Sequence, residues 1–129
     1  MTITFLYAAL LALLFVGLSV RTLRMRRRLR ISVGDRGDEA MLRGMRVHAN
    51  FAEYTPLALL LLYFVELAGT RPLVVHVLGS CLLLGRAVHA YGVSQVRENY
   101  RFRVAGMTLT LGMLVAASLR LLFAAMRLG

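Results

Sequence analysis

Four long apolar stretches, separated by short polar ones, organise this chain. Residues 2–20 carry no charge, and about 19 residues in a helix suffice to cross roughly 30 Å of hydrocarbon. Comparable stretches cover residues 51–68, 72–91 and 104–126. Between the second and third, Gly69-Thr70-Arg71-Pro72 leaves room only for a tight turn, which makes those helices antiparallel neighbours. The first stretch resembles a signal peptide in length. No positive residue precedes its apolar core, however, and a dense arginine run follows it, a pattern that anchors a segment rather than releasing it. The pattern predicts an all-α integral membrane four-helix bundle, one domain over residues 1–129.

Composition sharpens this picture. A chain of 129 residues has no room for a second catalytic unit. Hydrophobic residues make up 59% of it, against roughly 45–50% in an ordinary globular domain. With 17% charged residues and a mean hydropathy of +0.70, neither a disordered chain nor a soluble domain fits. The net charge of +10 comes from 16 basic residues, all arginine, against 6 acidic ones. Such basicity by itself suggests nucleic acid. Beside long apolar runs it marks the cytoplasmic side of a membrane instead, so no nucleic-acid partner is expected.

Arg21, Arg24, Arg26, Arg27, Arg28, Arg30, Arg36, Arg43 and Arg46 lie between spans one and two, and Arg97, Arg101 and Arg103 between spans three and four. The other side offers Arg71 and Arg127. The basic loops are therefore expected in the cytoplasm, in contact with anionic lipid, and both termini outside. Within the first loop, Val33-Gly34-Asp35-Arg36-Gly37-Asp38 reads as a turn, with Asp38 an N-cap and Glu39 in the first turn of a helix running into span two. The single cysteine, Cys81, excludes an internal disulfide and sits in an apolar run as an inert thiol.

The chemistry sits at the inner span edges. Arg46, Asn50 and Glu53 stand at i, i+4 and i+7 and share a helical face, with Pro56 set to kink the helix just beyond. Such residues are costly against lipid and should point into the bundle or a subunit contact. An Arg–Glu pairing along the helix, with Asn50 holding helices together, is the plainer alternative. Arg86 and His89, at i and i+3, share a face near the inner end of span three. Arg86 either snorkels to the surface or finds a polar partner, and His89 read alone is a packing or hydrogen-bonding histidine. His48, His76 and His89 make a poor metal set, because His76 lies near the opposite membrane face. Both polar faces and the Arg101/Arg103 pair converge on one leaflet. A pocket there would suit a small, multiply charged, peptide-like molecule beside a hydrophobic co-substrate. Glutathione fits that description without being singled out by it.

At these residues the chain resembles the MAPEG family, membrane-associated proteins in eicosanoid and glutathione metabolism. In members like microsomal glutathione transferase and leukotriene C4 synthase, the second helix carries an R-x-x-x-N-x-x-E-[YT] pattern, which stands here as Arg46-x-x-x-Asn50-x-x-Glu53-Tyr54 before Pro56-Leu57. The Gly34-Asp35 turn, Glu66 and Gly85-Arg86-x-x-His89-Ala90 look most like the bacterial branch, which implies an inner membrane location. The resemblance implies a homotrimer of four-helix bundles with glutathione as co-substrate, bound between subunits near the cytoplasmic face. Arg46, Asn50, Glu53, Tyr54 and Arg86 match its binding positions, with His89 beside them. One of Arg26, Arg27 and Arg30 would reach a glutathione carboxylate. Arg101 and Arg103 compete for the helix-four arginine that stabilises the thiolate. Two positions depart: the family's helix-three tyrosine is Val93 here, with Tyr91 two residues early, and the serine some members carry after the helix-four arginine is Val104 if Arg103 is that arginine.

The function this implies is a glutathione transferase, or peroxidase-like protein, acting on lipophilic electrophiles. A non-catalytic lipid- or ligand-binding protein on the same scaffold is the alternative. A small proton-coupled exporter would carry a membrane-embedded Glu in its first helix, and span one has no charge. Reporter fusions test the orientation: one at Gly37 should read cytoplasmic and one at Gly129 periplasmic. A cytoplasmic C-terminus would overturn the topology and the site with it.

Overall fold

The structure, a computed structural model, describes residues 3–97 and 99–128; Thr2 and Gly129, the ends of the expected first span and of the domain, lie outside them. Four helices follow in order: α1 (Ile3–Leu29), α2 (Glu39–Leu67), α3 (Pro72–Ser94) and α4 (Tyr100–Leu128). The all-α bundle read from the sequence is therefore present. Helices α2 and α3 pack along each other and each meets both α1 and α4, whereas α1 and α4 do not touch. The α2–α3 turn is as tight as expected. Gly69 takes a φ of 70°, which glycine adopts freely, and its amide donates to the Glu66 carbonyl at 3.1 Å.

Burial follows this arrangement. Helix α1 buries only Thr4, Tyr7, Leu11 and Leu18, a narrow seam at heptad-like spacing. Its other faces, and those of α4, turn Phe5, Leu13, Val16, Val104, Val115, Leu119 and Met126 outward. In water so continuous an apolar surface would aggregate; against lipid it is solvated. Helix α3 is the most enclosed, and its Val75, Leu78 and Leu82 meet Leu11, Phe51, Leu62 and Met113 in the core.

Three helices, α1, α3 and α4, are long and apolar enough to cross a membrane, with mean hydropathies of 2.4, 1.6 and 1.9. The sequence reading expected four. Helix α2 has the length, but Asn50, Glu53 and Glu66 interrupt its apolar run. It packs against the other three.

Two helix ends differ from the expected spans. Helix α1 continues through the arginine run to Leu29, because arginine, leucine and methionine favour helix and nothing breaks it. It stops where Arg30 turns left-handed at φ 54°; Ile31 N–H then reaches the Arg26 carbonyl at 3.0 Å and Arg30 N–H the Arg27 carbonyl at 3.4 Å. This pair of bonds is a Schellman close, with arginine where glycine is usual. Helix α4 starts at Tyr100, so Arg101 and Arg103 belong to its first turn rather than to a loop. The start of α2 is as read: the Asp38 carboxylate accepts from Met41 N–H at 2.8 Å and Glu39 follows.

At the far end, away from the basic loops, Glu66 closes the start of α1. Its carboxylate accepts from the amides of Ile3 and Thr4, at 3.1 and 2.9 Å, and from the Thr4 hydroxyl. Those amides have no partner within their own helix, so an acid 62 residues away serves as the cap.

Helices α3 and α4 approach most closely at glycines. A Cβ on Gly106 would lie 2.5 Å from the His89 nitrogen and 2.7 Å from the Gly85 oxygen. Gly106→Ala should therefore cost about 1–3 kcal/mol of stability, measured by thermal unfolding in detergent. Gly112 faces open space, and Gly112→Ala should be neutral or stabilising by up to about 1 kcal/mol. Equal losses at both positions would refute the close-packing account.

Candidate functional site

The site begins with a charge in a place that excludes water. Arg86 is 1% exposed, the largest fully buried side chain in the molecule. A guanidinium at that depth is tolerated only when its donors are satisfied. Its Nε donates to Thr110 Oγ1 at 3.0 Å, and one terminal nitrogen donates to Asn50 Oδ1 at 2.7 Å. The other reaches Met107 Sδ at 3.2 Å, and the group lies 5.4 Å from the centre of the Tyr54 ring. Arg86 therefore does not snorkel; it joins α3 to α2 and α4.

That bond fixes what Asn50 offers. With its carbonyl oxygen accepting from Arg86, the amide NH₂ is the group Asn50 presents elsewhere. Asn50 stands at the wall of a cavity of about 350 Å³ at the basic end of α2, α3 and α4. Arg46 and Arg43 line it from α2, His89 and Val93 from α3, and Tyr100 and Arg103 from α4. Glu39 supplies a carboxylate at the rim, held by Arg43 Nε at 3.1 Å. A second Arg43 nitrogen donates to the Val93 carbonyl at 3.4 Å. The cavity thus presents guanidinium and amide donors beside one carboxylate, which suits a small anion that also carries an amine.

Four expected site residues, Arg46, Asn50, His89 and Arg103, share this cavity, and Arg86 and Tyr54 stand directly behind Asn50. Others lie elsewhere. Glu53 is exposed, outside the cavity, and without a hydrogen-bond or ion-pair partner among the described residues, so the expected helical face is shared only as far as Asn50. The ion pair along α2 is Glu39–Arg43, one turn from the helix start, rather than one involving Glu53. Arg101 is exposed and off the cavity, since two residues along a helix turn a side chain by about 200° from Arg103. Arg26, Arg27 and Arg30 border a separate depression at the end of α1. Arg26 also donates to the carbonyls of Ile31, Ser32 and Gly34, closing the chain over its own helix end. Within one chain none of these three meets the cavity.

Sequence reasoning missed Glu39, Tyr100 and Thr110 as parts of this region. The i, i+4 spacing of Glu39 and Arg43 was a usable signal. Thr110 lies 24 residues from Arg86 and had none. Tyr91 faces outward and meets Phe102 edge-on at 5.4 Å, which leaves Val93 as an apolar wall and Tyr100 as the phenol at the cavity. The histidines are dispersed: His48 bonds Ser19 at 3.0 Å on the α1 side, and His76 meets Tyr7 at the far end.

Comparison with known proteins adds two findings. The model of the MAPEG family matches residues 4–123. The inner membrane protein YecN of Escherichia coli strain K12 is 38% identical over 105 residues, covering 81% of this chain and 79% of that protein. The protein of the same name from E. coli O6:H1 matches to the same extent.

The Arg86 network makes its own test. Asn50→Leu leaves a buried charge short of an acceptor and should cost about 1–3 kcal/mol in thermal unfolding. Adding Arg86→Met to it removes the charge with its partner and should recover part of that loss. Additive losses would mean the two side chains are not coupled.

Proposed function

The chain belongs to the MAPEG family, and on that premise we propose a membrane-bound glutathione transferase, or peroxidase-like protein, that joins glutathione to lipophilic electrophiles or reduces them. Similarity to an inner membrane protein and three apolar helices support a bacterial inner membrane as its place. The observation that carries the reading is the cavity at the basic end. Its volume of about 350 Å³ falls within the roughly 300–1,000 Å³ of small-molecule sites. Arg46, Arg103 and the Asn50 amide suit carboxylates, Glu39 suits an ammonium, and the apolar flanks of the bundle admit a lipid-soluble co-substrate.

The reading includes a homotrimer, with glutathione between subunits. The distance of Arg26, Arg27 and Arg30 from the cavity within one chain supports it, because a neighbouring subunit could supply such a group. Glu53, exposed on α2, would then also face a neighbour. The orientation is the one the loop charges imply, with the cavity at the cytoplasmic face.

The chemistry asked of the site is thiol activation. A free thiol with a pKa of about 8.5 is only a few per cent thiolate at neutral pH. Arginine stays protonated at any working pH and favours the thiolate by opposite charge. Arg103 has this role in the proposal because it lines the cavity, and Arg101 is the second candidate. A shift of one to two units needs about 1.4–2.8 kcal/mol, which one partly desolvated contact supplies. A specific observation favours the alternative, ligand binding without catalysis: Val93 stands where catalytic relatives are expected to carry tyrosine.

Binding tests the site. Ala at Arg46 or Asn50 should weaken glutathione binding by about 1–3 kcal/mol in calorimetry, whereas Arg86→Ala acts through the Asn50 it holds and Glu53→Ala through a subunit contact. His48→Ala, on the α1 side, is the control, and equal loss there would mean that the fold, not a site, is damaged.

Thiolate absorbance tests catalysis. Bound glutathione should titrate one to two units below the free thiol, so conjugation of an aryl halide rises at lower pH than the free reaction. Arg103→Ala should move that rise back up towards about pH 8.5, slowing conjugation more than it weakens binding. Arg101→Ala should leave it in place. If bound glutathione titrates like free glutathione in the wild type, the non-catalytic reading replaces this one.

A further inference from the structure

The end of the bundle opposite the basic loops holds a second cationic cleft, unrelated to the cavity above. Arg120 stands within the apolar run of α4, half-buried, and Arg127 follows at i+7. Seven residues advance about 10 Å along a helix and return to nearly the same face. With Ala68 from the end of α2, and Phe123 and Ala124 from α4, the two arginines line a cleft of about 220 Å³. The Arg127 guanidinium lies 4.2 Å from the centre of the Phe123 ring. Neither arginine has a hydrogen bond or ion pair with a described residue. The acid on the adjoining stretch of α2, Glu66, is turned to the start of α1.

An arginine inside a membrane-spanning helix is costly unless it pairs or reaches the interface. Arg120 is half-buried, and the cleft sets it beside Arg127, seven residues nearer the helix end, where a long side chain can reach the interface. Two guanidiniums at that depth, with small alanines leaving space between helices, present forked donors that match phosphate oxygens. Just outside the cleft α4 turns Leu119, Leu122 and Met126 outward, an apolar surface continuous with its mouth.

We propose that this cleft binds the phosphodiester of one anionic phospholipid, held between Arg120 and Arg127 with its acyl chains along the outer face of α4. The apolar flank selects a lipid over free phosphate, and the paired cations select a net negative headgroup over a zwitterionic one. This site stands whether or not the chain uses glutathione.

The test uses the full-length, delipidated protein in neutral detergent, with lipid binding followed by native mass spectrometry. Phosphatidylglycerol should occupy one tight position per chain, unaffected by competing phosphatidylcholine or millimolar inorganic phosphate. Arg120→Gln and Arg127→Gln should each weaken that position about tenfold or more. Arg120→Lys, which keeps the charge and loses the fork, should lie between. Arg71→Gln, at the same end but off the cleft, should match the wild type. Should Arg120→Gln not fold, Arg127→Gln at the exposed helix end decides. Equal phosphatidylglycerol binding in wild type and Arg127→Gln overturns the proposal, as does displacement of the tight lipid by inorganic phosphate.

Discussion

A guanidinium cannot be left dry and unpaired, and the architecture of the basic half of this molecule follows from satisfying one. Arg86 draws Asn50 from α2 and Thr110 and Met107 from α4 to a single point on α3. Each partner fixes the rotation of its helix, because a turn of a few tens of degrees would break the bond. Asn50, so fixed, faces its amide NH₂ outward, and Arg46 one turn earlier is carried to the same cavity wall. Gly85 and Gly106 let α3 and α4 come close enough for the Thr110 contact, so the glycines and the arginine depend on each other.

Much of the fold was legible because its signals are local. The Gly69 turn, the Asp38 cap and the apolar runs each sit within a few residues of the structure they specify. The shared face of Arg46 and Asn50 was equally local, since helical spacing alone predicts it. Within one chain the cavity ends at Asn50, because Arg86 and Tyr54 fill the next layer, and Glu53 is exposed outside it. Tyr100 and Thr110 were invisible because their place depends on how α4 packs. Arg101 and Arg103 illustrate another gap. Hydropathy marks where a chain enters lipid, whereas a helix starts wherever the backbone allows, here one turn earlier. Averaging over the fourth span likewise hid Arg120, a single charge among apolar residues.

The two ends of the bundle solve opposite electrostatic problems. At the far end Glu66 is spent on the open amides of α1, a structural use that removes the carboxylate from the reach of α4. At the basic end, Glu39 is one of few acids amid many arginines, and it holds Arg43 at the rim. The cavity lining thus sets three arginines beside one carboxylate. A zwitterionic ligand with excess carboxylate is the kind of molecule whose charges such a rim would complement.

All 16 cations of this chain are arginines, so residue type alone assigns no role; surroundings do. Arg26 finds three backbone carbonyls at a helix end and acts as a cap. Arg86 finds neutral acceptors in the core and acts as a joint. Arg103 meets a cavity wall, and Arg127 an aromatic face in the second cleft. A guanidinium serves in all four settings because it is planar, weakly hydrated and able to donate in several directions at once. Lysine has three donors but no flat fork, so at position 86 it would not match acceptors set on both α2 and α4 as the guanidinium does. The substitution most often treated as conservative would thus be mild where a loop arginine touches little and damaging at Arg86, and the difference lies wholly in what each side chain touches.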